Sequence, residues 1–183
     1  PETNEDNPPR FVARAYIFDS EFFYTDYSIS VDYDNNQSDW SGLQIDISSN
    51  YQVVIGNPNG AEAYIADPIM SGGLSEISGW AISQTPAKGT NSNFGASVAI
   101  ENNLVVVGAP SQYSGSGAVY VFDQLIEVAE LRPTRSYDMV GEKFGYVVSL
   151  DGTTIVVGNE FDATVNGTTW YPAVYLFERQ QQT

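Results

Sequence analysis

Apolar residues along the chain fall into short segments of two textures, separated by polar and glycine-containing stretches. Some segments alternate, as in Val98-Ala99-Ile100, and others are unbroken runs, as in Leu104-Val105-Val106-Val107. Alternation predicts a strand with distinct faces, and an unbroken run of this length predicts a strand covered on both. Helical periodicity is almost absent. The segments are rich in Val, Ile, Tyr and Phe and are bounded by Gly, Asn and Ser, so the chain is expected to be all-β.

The segments recur in one order. Asn93 to Ile100 (NFGASVAI), Leu104 to Pro110 (LVVVGAP) and Gly117 to Asp123 (GAVYVFD) return as Lys143 to Leu150 (KFGYVVSL), Thr154 to Glu160 (TIVVGNE) and Ala173 to Glu178 (AVYLFE). An earlier, looser copy reads Ser41 to Ile47 (SGLQIDI), Gln52 to Pro58 (QVVIGNP) and Ala63 to Asp67 (AYIAD). A further strand-like segment precedes each copy, at Tyr27 to Tyr33, Ile77 to Pro86 and Ile126 to Pro133. Four short strands per unit, too few to bury themselves singly, predict antiparallel sheets stacked radially as the blades of a β-propeller.

The expected division is an N-terminal segment over 1–19, blade 1 over 20–67, blade 2 over 68–124, and blade 3 with a C-terminal tail over 125–183. Phe11 to Asp19 is left over: its Tyr16-Ile17-Phe18-Asp19 aligns with Tyr120-Val121-Phe122-Asp123 and reads as the closing strand of a preceding blade. Closed propellers have roughly four to eight blades. About three blades plus one extra strand therefore predict a partial propeller, or one completed between chains. A start at Pro1-Glu2-Thr3 without Met fits a piece of a longer chain. Gly56, Gly108 and Gly158 each end the apolar run of their copy, predicting a tight turn or a close backbone approach.

Charge narrows the partners. The 183 residues carry 7 basic and 23 acidic side chains, a formal net charge of −16, which repels nucleic-acid phosphates and anionic membranes. It serves solubility, or attracts cations and basic partners. The chain has no Cys and no His, which removes disulfides, Cys/His zinc sites and every thiol- or imidazole-based nucleophile pair. No apolar run approaches the roughly 20 residues needed for a membrane-spanning helix.

Phe94-Gly95 with Gly108-Ala109-Pro110, and Phe144-Gly145 with Gly158-Asn159-Glu160, resemble the FG-GAP repeat of integrin-α-like propellers. Ser41-Gly42 and Gly56-Asn57-Pro58 each depart from it by one residue. The resemblance implies an extracellular or cell-surface propeller in adhesion, recognition or scaffolding. Many such repeats carry an Asp-rich calcium loop between the Phe-Gly and Gly-Ala-Pro strands. Here those connections, Ser48-Ser49-Asn50, Glu101-Asn102-Asn103 and Asp151-Gly152-Thr153, read as plain hairpin turns, so the resemblance is to the subclass without calcium loops.

Candidate sites lie elsewhere. Asp32, Asp34, Asn36 and Asp39 place oxygen donors at alternating positions, as a calcium loop begins. The segment then departs, with Gln37 where a glycine would make the sharp turn, and the alternative is a solvated acidic loop. Asn36-Gln37-Ser38 and Asn166-Gly167-Thr168 are N-glycosylation sequons, giving Asn36 and Asn166 as acceptors. Trp170 and Tyr171, in the longest insertion within a unit, are candidates for protein or carbohydrate contact, or for capping the core beneath their own loop. No carboxylate pair is marked by repeated spacing, so no catalytic residue and no cofactor is assigned. The reading is a non-enzymatic structural, adhesion or recognition module. Its alternatives are a subunit that assembles with copies of itself by strand pairing and, less favoured, a polysaccharide-acting enzyme on the same scaffold.

Overall fold

The computed structural model describes residues 11–18, 24–33, 42–71, 76–86, 88–89, 91–133, 141–160, 163–165 and 168–179. Strands β1 (Phe11–Phe18) and β2 (Tyr24–Tyr33) pair antiparallel as a two-stranded ribbon. The first unit contains β3 (Gln44–Ile47), β4 (Val53–Asn57), β5 (Glu62–Ser71) and β6 (Glu76–Gln84), hydrogen-bonded in that order. The second contains β7 (Ser97–Glu101), β8 (Leu104–Ala109), β9 (Ala118–Asp123) and β10 (Ile126–Leu131), again each beside the next. In the third, β11 (Val147–Asp151), β12 (Thr154–Gly158) and β15 (Val174–Glu178) form a three-stranded sheet, and a small hairpin of β13 (Ala163–Val165) and β14 (Thr168–Trp170) interrupts the chain between β12 and β15. The architecture is that of partial propeller blades.

Strand pairing shifts the phase of the expected unit. The segments assigned to the opening of blades 2 and 3 instead close the preceding sheets: β6 pairs with β5, and β10 with β9. The segment expected to open blade 1 likewise pairs with β1. The surplus is thus two strands rather than one, and the third unit has three strands among the described residues. Connection length explains the pairing. Asp123 and Ile126 are partners across a two-residue turn at Gln124-Leu125, and so short a connection leaves antiparallel neighbours as the only outcome. The long links at 85–96 and 132–146 carry the chain to the next sheet.

The sheets stack by a repeated seam. On the side of each sheet facing the preceding unit, its leading face, the second unit presents Phe94, Val98, Ile100, Val105, Val107, Tyr120 and Phe122 to Val54, Ala63 and Ile65. On its opposite, trailing face, Ala99, Leu104, Val106, Val119 and Val121 meet Phe144, Val148, Ile155 and Val157 of the third unit. This is why β8 is apolar without interruption: both of its faces are covered.

The signature residues each have a task at the seam. Phe94 is fully buried and packs edge-on against Tyr120 and Phe122, at ring-centroid distances of 5.7 and 6.1 Å. Phe144 repeats the arrangement with Tyr175 and Phe177 at 5.1 and 6.0 Å. Gly95 and Gly145 follow with φ of 96° and 86°, values that favour glycine, and each turns its carbonyl onto the preceding unit. A Cβ at Gly56 would lie 2.3 Å from the Gly95 oxygen, and one at Gly108 would lie 2.1 Å from that of Gly145. Close approach by the next sheet, not turn geometry, is what requires glycine there. Ser97 Oγ donates to the Gly145 carbonyl at 2.8 Å, and Asp46 Oδ2 accepts from Ile100 N at 2.9 Å.

Candidate recognition surface

Antiparallel order sends the connections to two ends of the stack. The turns at 102–103, 124–125 and 152–153 lie at one end. The loop at 58–61, the loop at 110–117 and the described ends of the 159–173 connection lie at the other, together with the described residues of the links 85–96 and 132–146 that join units. The seam locks these loops to one another: Ser111 N donates to Ser92 O at 3.0 Å, Lys143 N to Gly115 O at 2.8 Å and Phe144 N to Ser116 O at 3.1 Å.

After β8 the chain makes a tight helical turn over Gln112–Gly115. Tyr113 and Ser114 both hold left-handed backbone, with φ of 54° and 60°, a conformation that costs residues with a Cβ roughly 1–2 kcal/mol each. The turn projects Tyr113 outward, and residues of the adjacent outer strand fix it in place. Tyr113 Oη donates to Glu130 Oε1 at 2.9 Å, Arg132 Nε donates to the same oxygen at 2.8 Å, and the Arg132 guanidinium carbon stands 3.4 Å from the Tyr113 ring centroid. Burial works against charge on Glu130, but the hydrogen bonds from Arg132 and Tyr113 outweigh it and hold the carboxyl below its ordinary range. The Glu130 bond likewise raises Arg132 above its already high value.

Between this turn and the link 85–96 lies an open groove of about 600 Å³, walled by Lys88, Asn91, Ser111, Gln112, Tyr113 and Ser114. Lys88 is already engaged, ion-paired with Glu127 and 4.5 Å above the Tyr120 ring centroid. What remains is amide, hydroxyl and aromatic chemistry, suited to a neutral polar ligand that stacks and hydrogen-bonds.

Under the third unit's loop, a buried polar knot replaces this arrangement. Glu142, 1% exposed, accepts at Oε1 from Asn159 Nδ2 at 2.9 Å and from Tyr175 Oη at 2.6 Å. Asn159 Oδ1 in turn accepts from Ala173 N at 2.6 Å. The knot roots both ends of the 159–173 insertion, and it explains why Asn159 stands where the second unit has Ala109.

The sequence candidates fall largely outside this surface. Asp32 lies in β2 opposite Val12, whereas Asp34, Asn36 and Asp39 lie outside the described residues, as does Asn166. Among the described residues, no three acidic side chains group as metal ligands. Trp170 ends β14, paired with Ala163, and the following Tyr171 is exposed. Tyr113, Glu130, Arg132 and Gln112 were not singled out from sequence; the only signal was a lone aromatic in the Gly/Ser-rich stretch 111–117.

The profile of the FG-GAP repeat matches residues 88–122 and 136–177. Both stretches are FG-GAP repeats. Each matched stretch runs from an inter-unit link through the Phe-Gly and Gly-Ala-Pro strands to the Tyr-x-Phe strand, so the two repeats are the inner three strands of the second and third units. The FG-GAP units thus carry both the seam and the groove. Comparison with curated proteins found no match. No helix among the described residues is long and apolar enough to cross a membrane.

Proposed function

We propose that this FG-GAP chain is a non-catalytic recognition or adhesion module of the extracellular space or cell surface, and that it takes a protein or carbohydrate ligand on the loop end of its stacked sheets. The observation that carries the reading is the clamped Tyr113: a ring held outward on strained backbone, fixed by Arg132 and Glu130, beside a groove whose free groups are amides and hydroxyls. Strained backbone retained at a loop tip is a common property of ligand sites, and pre-set aromatic contacts bind at low entropic cost. The two FG-GAP repeats support the compartment and the non-catalytic reading.

The test is binding of the whole chain to arrayed neutral and acidic glycans and to extracellular-matrix proteins, followed by Tyr113→Ala and Gln112→Ala. Each variant is expected to weaken binding by about tenfold or more, as loss of an anchor contact does, with an unchanged melting temperature. Binding indifferent to both substitutions, or turnover of a bound glycan, would overturn the reading.

A further inference from the structure

The two seams carry corresponding hollows at the end of the stack where the short turns lie. The strand pairs Val53–Ala66, Val105–Phe122 and Ile155–Phe177 occupy one place in the three units. The residues that follow, Asp67, Asp123 and Glu178, are therefore counterparts, and so are the next ones in the second and third units, Gln124 and Arg179. Backbone bonding agrees: Gln124 N donates to Asn103 O at 3.2 Å, and Arg179 N donates to Thr153 O at 3.1 Å.

At the second seam the chain fills this position itself. Arg179 reaches back to the second unit, and its Nη1 donates to Asp123 Oδ2 at 2.9 Å. At the first seam the acid is kept and the base is not: Asp67 stands in the place of Asp123, but Gln124 stands in the place of Arg179. Among the described residues no basic side chain pairs with Asp67, since Lys88, Arg132 and Lys143 are held by Glu127, Glu130 and Glu160.

Beside Asp67 lies a pocket of about 270 Å³, with an apolar floor of Ile65, Val105 and Leu125 and a polar wall of Asp67, Asn103 and Gln124. The carboxylate is held ready by a chain of side chains. Ser48 Oγ donates to Asn50 Oδ1, Asn50 Nδ2 to Gln52 Oε1 at 3.1 Å, and Gln52 Nε2 to Asp67 Oδ1 at 2.5 Å. The counterparts of Gln52 are Leu104 and Thr154, which offer no such amide. A fixed carboxylate and two side-chain amides above an apolar floor suit a cation carried on a methylene stem. A guanidinium fits best, because its planar fork of donors can reach Asp67 and the amide carbonyls together. A bare metal ion fits poorly, because one carboxylate supplies too few hard oxygens.

We infer that this pocket is a binding site for an arginine side chain of a protein partner, which completes at the first seam the ion pair that Arg179 makes at the second. The net charge of −16 draws basic partners toward the chain. Glu101, which accepts from Ser49 Oγ at 3.0 Å, adds a negative charge at the same end. The site lies at the end of the stack opposite Tyr113 and works independently of it.

The experiment is a titration of the isotopically labelled full chain with the blocked tripeptide acetyl-Gly-Arg-Gly-amide, read from backbone amide NMR shifts, with thermal melts of each variant as the folding control. Shifts are expected at Asn103, Gln124 and Leu125, with a dissociation constant on the order of 1 mM for so small a ligand. The same peptide with citrulline, similar in shape but neutral, should bind about tenfold more weakly or worse. Asp67→Asn keeps the oxygen that accepts from Gln52 and should also cost about tenfold or more. Asp151→Asn makes the same change in net charge at the exposed end of β11, and should cost less than about twofold, because distant exposed charges are screened. Gln124→Arg supplies from within what Arg179 supplies at the second seam, so it should abolish peptide binding without lowering the melting temperature. Absence of shifts at the three amides at about 20 mM peptide overturns the inference. So does citrulline binding equal to arginine, or retained binding in Gln124→Arg. Equal losses in Asp67→Asn and Asp151→Asn would overturn it too, by reducing the effect to net charge. None of these outcomes bears on ligand binding at Tyr113.

Discussion

Gly108 and Gly145 meet across the seam of the second and third units so closely that a Cβ on Gly108 would stand 2.1 Å from the Gly145 carbonyl oxygen and 2.2 Å from Ser97 Oγ. The serine could rotate away; the carbonyl is backbone and cannot move without lifting the third sheet. Gly108→Ala is accordingly expected to destabilise the chain by about 3 kcal/mol or more, the range of severe overpacking. Gly56→Ala, facing the Gly95 carbonyl at 2.3 Å, should behave alike. Gly158→Ala in the monomer should stay within about 0.5 kcal/mol of wild type, as substitutions away from such contacts do. Urea unfolding of the three variants checks the contrast, and equal losses at Gly108 and Gly158 would refute the seam.

The Phe-Gly phenylalanines are the keystones of that seam. Phe94 and Phe144 are wholly buried and each touches two aromatic rings of its own unit. Truncation to Ala should cost about 3–5 kcal/mol at either position. Because each Phe also fills the space against the preceding sheet, the loss should appear as cooperative unfolding of neighbouring units, seen as coincident fluorescence and circular-dichroism transitions. Separate transitions would indicate units that fold alone.

The FG-GAP pattern was legible because each signature residue has a task no other side chain performs: a phenylalanine that plugs the seam, and glycines that yield to a carbonyl. Unit phase was not. Gln124 and Leu125 form the β9–β10 turn with φ of 49° and 68°, but neither is the Asn or Gly that announces such a turn, so β10 read as the start of a new unit. The groove was illegible for a different reason: Tyr113 is set by Glu130 and Arg132 from another strand, and no local spacing encodes that meeting.

Strain in the groove turn is open to direct test. Ser114 holds φ of 60° with an exposed side chain, so Ser114→Gly removes a left-handed penalty at the cost of a freer unfolded chain. The net is expected to be a gain of about 0.5–1 kcal/mol. The same change loosens the backbone that projects Tyr113, so ligand affinity should fall as stability rises. A variant that loses stability would show that Ser114 does not occupy this conformation.

Tyr120 makes stability depend on alkaline pH. Burial pushes its phenol well above the ordinary value, reinforced by the Tyr113 hydroxyl and the carboxylates of Glu130 and Glu127. In the unfolded chain the phenol ionises near pH 10, whereas in the fold it keeps its proton to higher pH. A group whose folded value is raised contributes its full stability below the unfolded value, and that contribution declines as pH climbs from there toward the folded value. Unfolding free energy should therefore be flat in this term up to about pH 9.5 and then fall. Tyr120→Phe retains the ring against Phe94 and has no proton to lose, so it should flatten the decline between about pH 9.5 and 11.5. Denaturant titrations of both proteins across that window measure the difference. Parallel curves would show that Tyr120 reaches solvent when it ionises, and that the second unit's leading face opens without unfolding.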